Sequence, residues 1–252
     1  MKITILCENE TSEECWDKNV VSEWGFSAFL ETKNANILFD TGKSDVYWRN
    51  AENLGIDLNK TDYIVLSHYH LDHAKGLMHH NFKDRKKLLI HPHILDKLPK
   101  EDSDKFKNDF EIITSKEPLE FVPNVFYLGE IPRKTAFETG MSEGEQMTDD
   151  SALAIKTGKG VVVLTGCSHS GICNICEQAK KVTGQNLYSV IGGFHLFEGD
   201  SKTVEGAIEY FKTEKPERLH PMHCVDFPTL VRFHNGFKFK KYCTGDVLEF
   251  EE

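Results

Sequence analysis

The chain has 252 residues, 39% hydrophobic and 28% charged, a balance that fits a water-soluble globular protein able to bury a sizeable core. Forty acidic residues against thirty basic ones leave a formal net charge of −10, which argues against a broad nucleic-acid-binding face, since such a face needs a basic footprint. No apolar run approaches a membrane span, residues 1–6 are too short for a secretory signal, and seven cysteines in dissimilar contexts favour a reducing cytoplasm over a disulfide scaffold.

Taken in order, residues 1–7 alternate Ile3, Ile5 and Cys7 on one face and predict a first strand. Residues 8–22 are polar and acidic, with Cys15 and Trp16 isolated, and read as a loop. A hairpin is expected from strands at 26–31 and 36–40, joined by Lys33-Asn34-Ala35, and Asp40-Thr41-Gly42 ends it with turn chemistry. Ser44 is placed to cap a helix running to Leu54, with Val46, Tyr47, Ala51 and Leu54 on its apolar face and Gly55 as its stop. The compact run Tyr63-Ile64-Val65-Leu66 has strand composition and strand length. It delivers the stretch SHYHLDHAKGL, Ser67 to Leu77. His68 and His70 are two apart, so in extended backbone they point the same way. Asp72 and His73 follow once the chain has turned. Three imidazoles and one carboxylate within six residues are a cluster of metal-ligand types. A solvated His-rich turn is the plain alternative, and the place at the end of an apolar strand favours metal.

Residues 87–91 then read as a strand, and Pro92 interrupts the chain before a short helix at about 94–98. His91 and His93 also alternate, but without a third ligand close by they read as packing residues. Residues 99–109 are charged and read as a flexible connection, and strands are expected at 110–114 and 125–128 around Pro118 and Pro123. Residues 130–150 lack periodicity, the mark of a lid or binding loop. A hairpin over 151–155 and 160–165 turns at Thr157-Gly158-Lys159 and ends in Gly166-Cys167-Ser168-His169. The next helix puts Ile172, Ile175, Cys176, Ala179 and Val182 on one face, with Gly184 past its end. Cys173 and Cys176 form a C-x-x-C that alone would suggest a zinc knuckle or redox pair, but the place of Cys176 on the apolar face assigns both to packing. A strand at 187–191 leads to His195 in a turn. A helix after Ser201 carries Val204, Ala207, Ile208 and Phe211, and residues 218–221 deliver His223. A short helix at about 227–233 and strands at Lys238 and Val247 complete the reading. Strands separated by single helices describe a layered α/β protein. With no Pro-, Gly- or Ser-rich linker, residues 1–252 are expected to form one domain.

SHYHLDHAKGL resembles the signature of the metallo-β-lactamase superfamily. Further stretches are similar to its dihydropterin-synthase-like branch, whose members are often described as metal-dependent hydrolases. They are Glu23-Trp24-Gly25-Phe26-Ser27, Leu38-Phe39-Asp40-Thr41-Gly42, Thr165-Gly166-Cys167-Ser168-His169, Ile191-Gly192-Gly193-Phe194-His195-Leu196 and Pro221-Met222-His223-Cys224. The resemblance implies an αββα sandwich with a metal site at one edge and Asp40 beneath that site. Read from the residues alone, Asp40 is equally a turn-stabilising side chain. The resemblance further implies that His68, His70 and His169 hold one divalent metal, and Asp72, His73 and His223 a second. Two zinc ions are expected, with iron or manganese as alternatives. Cys167 stands where the superfamily usually has a bridging Asp and sometimes a Cys, and a thiolate there favours zinc.

A two-metal cluster of this kind acidifies a water and polarises an electrophile. Asp72 is placed both to ligate and to move a proton. His195 follows a strand end with two glycines and is assigned to the substrate or its leaving group, as hydrogen-bond donor or general acid. The alternative is a packing histidine under residues 198–199. The expected function is metal-dependent hydrolysis of a small, anionic ester or phosphoester, with no nucleic acid or membrane as partner. Lys43, Lys75, Arg133 and Lys134 lie near motifs and are candidates for an anion pocket, a solvated surface role being the alternative for each. Two other functions stand beside the first. One is a transferase condensing a dihydropterin with a ribosylaminobenzene phosphate, as some relatives do in methanopterin-type cofactor synthesis. The other is a non-catalytic metal or redox protein, although redox relatives usually add a flavin module that this sequence lacks.

Overall fold

Strand β1 (Lys2–Cys7) is buried on both faces: Ile3 and Ile5 face one way and Thr4 the other, and a bulge between Ile5 and Cys7 brings Cys7 into the same cluster as Leu6, so the alternation read from the sequence holds only as far as Ile5. A computed structural model describes residues 1–142 and 144–251. After a loop with one 3-10 turn at Glu13–Cys15 come the hairpin strands β2 (Ser27–Glu31) and β3 (Asn36–Phe39). Helix α1 (Val46–Asn53) begins after Asp45. Ser44 lies one residue earlier, donating to Glu23 Oε2 at 2.5 Å and accepting from Val46 N–H at 3.3 Å. Strand β4 (Tyr63–Val65), the short helix α2 (Leu71–Ala74), strand β5 (Lys87–Ile90) and helix α3 (Pro92–Lys97) follow. Pro92 opens α3 rather than preceding it, because a missing N–H costs nothing in a first helical turn.

The charged stretch expected to be a flexible connection is a helix, α4 (Lys100–Asp109), leading to β6 (Glu111–Thr114). Its one large apolar residue, Phe106, is buried against Phe110 with ring centroids 6.1 Å apart. Glu101 and Asp102 sit in the first turn, where the helix dipole favours anions, and Lys105 pairs with Asp109 four residues on. One well-packed ring and these local pairs outweigh the poor amphipathic pattern.

Strand β7 (Leu119–Val122), bracketed by prolines and not expected from the sequence, precedes β8 (Val125–Tyr127). Residues 130–150 are irregular apart from the small ladder of β9 (Met141–Ser142) and β10 (Glu145–Gln146), and position 143 lies outside the described residues. Then come β11 (Ala152–Thr157), β12 (Gly160–Thr165), α5 (Ile172–Thr183), β13 (Leu187–Gly193), α6 (Ser201–Glu214), β14 (Arg218–Met222), α7 (Phe227–Phe237) and finally β15 (Val247–Glu249). No strand forms at Lys238, which is the left-handed C-cap of α7. The helix runs that far because Phe233 and Phe237 both pack against Phe211.

These elements make a layered α/β protein with two mixed sheets. One has the order β15-β1-β2-β3-β4-β5-β6, antiparallel as far as β3 and parallel from β3 to β6. The other has the order β14-β13-β12-β11-β8-β7, with β12, β13 and β14 parallel. Each sheet belongs to one of two compact units, Met1–Lys116 with Tyr242–Glu252, and Glu117–Lys241. In the second unit, Ile172, Ile175, Cys176 and Ala179 of α5 are fully buried with Cys173, so the C-x-x-C is core. Each buried Ile there contributes about 1.5–3 kcal/mol. Among the described residues no helix is long and apolar enough to cross a membrane.

Candidate metal centre

In the first unit β4 ends and the chain turns through Ser67 to His73 over a single buried carboxylate. Asp40, fully buried at the end of β3, accepts from Ser67 N–H and Ser67 Oγ–H, both at 2.7 Å, and from His73 Nδ1 at 2.7 Å. The carboxylate only accepts, so the single hydroxyl proton of Ser67 goes to it. Ser67 Oγ must then accept from His68 Nδ1, 2.8 Å away. Both rings therefore carry their proton on Nδ1 and present an Nε2 lone pair, the state a metal-ligating histidine needs. His70 packs against His68 with ring centroids 4.8 Å apart, and His73 lies 4.3 Å from His68. Asp72, half-buried, brings Oδ2 to 3.8 Å from His73 Nε2. The turn is held from behind: Thr41 N–H and Oγ1 both donate to His73 O, at 2.8 and 3.0 Å, and Phe26 N–H donates to Asp72 O. Gly76 is needed because a Cβ there would lie 1.9 Å from Thr41 O.

In the second unit the candidate residues sit just past the ends of β12, β13 and β14. Ser168, His195 and His223 have positive φ of 63°, 50° and 49°, a conformation that costs about 1–3 kcal/mol for each non-glycine residue and is characteristic of functional turns. Ser168 supports its turn by donating to Gly193 O at 2.5 Å, with Thr165 Oγ1 2.9 Å from its hydroxyl. Asp150, fully buried, accepts from Ser170 N–H at 2.8 Å and from Ser170 Oγ, and burial raises its pKa despite those bonds. His169 and His195 lie ring against ring, centroids 4.4 Å apart, and His195 also meets Phe197 edge-on at 5.2 Å. Burial is the largest single influence on His195 and opposes its protonation, but the hydrogen bond and charge of Cys224 together with the charge of Asp150 outweigh it and raise its pKa. For Cys224 burial acts upwards, yet bonds with Cys167 and His195 and the charge of His223 hold the thiol well below its usual range.

The loop of residues 130–150 is tied to α5. Glu138 accepts from Cys173 N–H at 2.9 Å and Asn174 N–H at 3.0 Å, and Asn174 Oδ1 accepts from Lys134 and Thr135 N–H at 2.7 and 2.9 Å. Arg133 donates to Ile131 O and Met147 O, which makes it a loop tie rather than a solvated or anion-binding cation.

Thus His68, His70, Asp72 and His73 gather in the first unit, and Cys167, His169 and His195 in the second, with His223 beside Cys224. Asp40 bonds to both Ser67 and His73 and so fixes the turn and the His73 ring together. Cys224 is a thiol the sequence reading passed over; its signal was a cysteine directly after a candidate ligand at a strand end.

A profile of the metallo-beta-lactamase superfamily matches residues 25–180. The chain belongs to the metallo-β-lactamase superfamily. Over 268 aligned residues it is 30% identical to the 7,8-dihydropterin-6-methyl-4-(β-D-ribofuranosyl)-aminobenzene-5′-phosphate synthase of Methanocaldococcus jannaschii, covering 91% of this chain and 90% of the synthase. Among solved structures it is similar to Tm1679, a metal-dependent hydrolase of the β-lactamase superfamily, at a TM-score of 0.84 and 28% identity over 100% of both chains. Zn²⁺-bound PqqB from Methylobacterium extorquens shares the fold, at a TM-score of 0.65 and 14% identity over 99% of this chain and 100% of that one. Metallo-β-lactamase superfamily members generally bind divalent metals, and the donor set here fits such an ion: unprotonated imidazole nitrogens, a carboxylate and a buried orienting shell.

Proposed function

We propose that this protein is a metal-dependent hydrolase acting on a small, anionic ester or phosphoester. His68, His70 and His169 hold one divalent ion and Asp72, His73 and His223 a second, zinc being preferred and iron or manganese the alternatives. Bound there, such ions supply Lewis-acid polarisation of an electrophile and acidify water. Asp40 and Ser67 keep the His68 and His73 rings in the ligating tautomer, and Asp72 takes up and returns the proton that hydrolysis moves. The observation that carries this reading is the Asp40–Ser67–His68–His73 network, a buried carboxylate whose bonds leave two Nε2 lone pairs pointing away from it. The test is elemental analysis after anaerobic purification, beside activity on phosphodiesters, thioesters and lactones. His68→Ala/His70→Ala is expected to lose the ion assigned to these two residues, and turnover with it, while remaining soluble; metal content equal to that of the unaltered protein overturns the reading.

A second reading is supported by the 30% identity to the Methanocaldococcus jannaschii synthase over nine-tenths of both chains. It is a transferase joining a dihydropterin to a ribosylaminobenzene phosphate. Anaerobic incubation with these two substrates tests it directly: formation of the joined product, with no turnover of the ester panel, replaces hydrolysis by condensation.

A further inference from the structure

Strands β12, β13 and β14 lie side by side and parallel, with Thr165 opposite Gly192 and Gly193 opposite Met222. Cys167, His195 and Cys224 each stand two residues past the last residue of one of these strands. Equal offsets from adjacent parallel strands converge, and one ligand atom from each residue lies within 4.8 Å of the others. Gly193 makes room for this meeting, since a Cβ there would lie 2.7 Å from Cys224 Sγ. The backbone N–H of His195 points at Cys224 Sγ from 3.3 Å, and Cys224 Sγ lies 3.2 Å from Cys167 O. Both thiols are 4% exposed, and His195 Nδ1 is buried without a hydrogen-bond partner among the described residues.

We propose that Cys167, His195 and Cys224 form a thiophilic metal position, a Cys₂His set suited to zinc, that shares no ligand with the six residues assigned above. Around a tetrahedral zinc, with bonds of about 2.3 Å to sulfur and 2.0–2.1 Å to nitrogen, donors stand roughly 3.3–3.8 Å apart, so small side-chain rotations close the set. Two thiolates select for soft ions over magnesium or calcium. Three protein donors leave a fourth position open for water or a soft substrate atom. His195 is then a ligand, in place of the leaving-group role expected from the sequence. The proposal does not depend on hydrolysis or condensation at the other centre.

The test uses the full chain carrying His68→Ala/His70→Ala, anaerobic and reduced, titrated with Co²⁺ alone. The expected result is a near-ultraviolet sulfur-to-cobalt charge-transfer band that saturates at one equivalent. Adding Cys224→Ser is expected to cut that band by roughly half, as one of two thiolates is lost, and His195→Ala to weaken binding at least tenfold while sulfur absorption persists. Absence of the band, or a band indifferent to Cys224→Ser, overturns the proposal. Should Cys224→Ser fail to fold, zinc-edge X-ray absorption on the protein with intact cysteines and one equivalent of Zn²⁺ decides. Two sulfur scatterers near 2.3 Å support the site, and a shell of nitrogen and oxygen alone refutes it. Both readouts see metal–sulfur bonding rather than turnover, so a failed hydrolase reading leaves them unaffected.

Discussion

Asp40 takes three hydrogen bonds on two oxygens, from Ser67 N–H, Ser67 Oγ–H and His73 Nδ1–H. An amide in its place keeps the size but turns an N–H₂ towards one of those donors, so His73 gains nothing by keeping its proton on Nδ1. Asp40→Asn is expected to lower metal affinity about 10–100-fold with an unchanged circular dichroism spectrum, measured by competition with a chromophoric chelator. Wild-type affinity in that variant would show that the network does not orient the ligands. Asp72 is the only carboxylate in the motif and is half-buried rather than enclosed, as a proton carrier must be. Asp72→Asn is expected to reduce kcat by about 10²–10⁴-fold while elemental analysis still finds bound metal. Near-normal turnover removes Asp72 from the chemistry.

At the scale of the element, α5 has its N-terminal turn closed by a carboxylate from a distant loop. Glu138, 4% exposed, satisfies the N–H groups of Cys173 and Asn174, and Thr135 Oγ1 donates to it at 3.0 Å. Glu138→Gln turns an N–H₂ group towards one of these buried donors, leaving it unsatisfied, and is expected to cost about 1–2 kcal/mol, read as a fall of several degrees in Tm and faster proteolysis within residues 130–150. Burial raises the Glu138 pKa above the ordinary Glu value despite its hydrogen bonds. Its stabilisation is thus fullest below the unfolded-state pKa and declines as pH rises through the higher folded value. The gap between wild type and Glu138→Gln should therefore narrow from about pH 4.5 towards neutrality; a gap that widens contradicts the assignment. Legibility follows the same physics. His68, His70, Asp72 and His73 are neighbours in the chain and stand at the end of an apolar run, so their pattern is local and easily read. The apolar stripe of α5 announces itself by its spacing. Helix α4 does not, because its stability rests on one buried ring and on charge pairs that look like surface. Cys224 acquires meaning only beside Cys167 and His195, a meeting made by parallel strand pairing that no short window of sequence contains.

The first unit is not continuous in the chain. Its sheet begins at β1 and is finished by β15, which pairs with β1 through Lys2–Glu249, Ile3–Leu248 and Thr4–Val247. The same closing segment supplies Thr244, whose Oγ1 accepts from Glu8 N–H at 2.8 Å, and Asp246, which accepts from Ser12 Oγ at 2.8 Å. Leu248 is fully buried. Removing residues 242–252 is therefore expected to cost at least about 3–5 kcal/mol, from the lost core side chains of Leu248 and Phe250 and several orphaned polar groups. Dye binding to exposed apolar surface and loss of amide dispersion for β1 and β2 would register it; a native-like spectrum would show that the closing strand is an accessory. Because the first unit is stitched shut by a strand distant in sequence, we further expect calorimetry of the whole protein to give a single transition, and two resolved transitions would separate the units energetically. The stitch also sets an order of events on the ribosome. Unit Glu117–Lys241 is fully synthesised before Val247 appears, whereas β1 waits for β15 while all the residues between them are made, roughly 12–50 s at about 5–20 residues per second. Throughout that interval β1 presents an open strand edge, the kind of surface that recruits other nascent chains. Refolding from denaturant imposes no such wait, since every strand is available at once. Yield from translation and yield from refolding therefore report on different hazards in this protein, and slowing elongation over the codons just before Val247 worsens only the first.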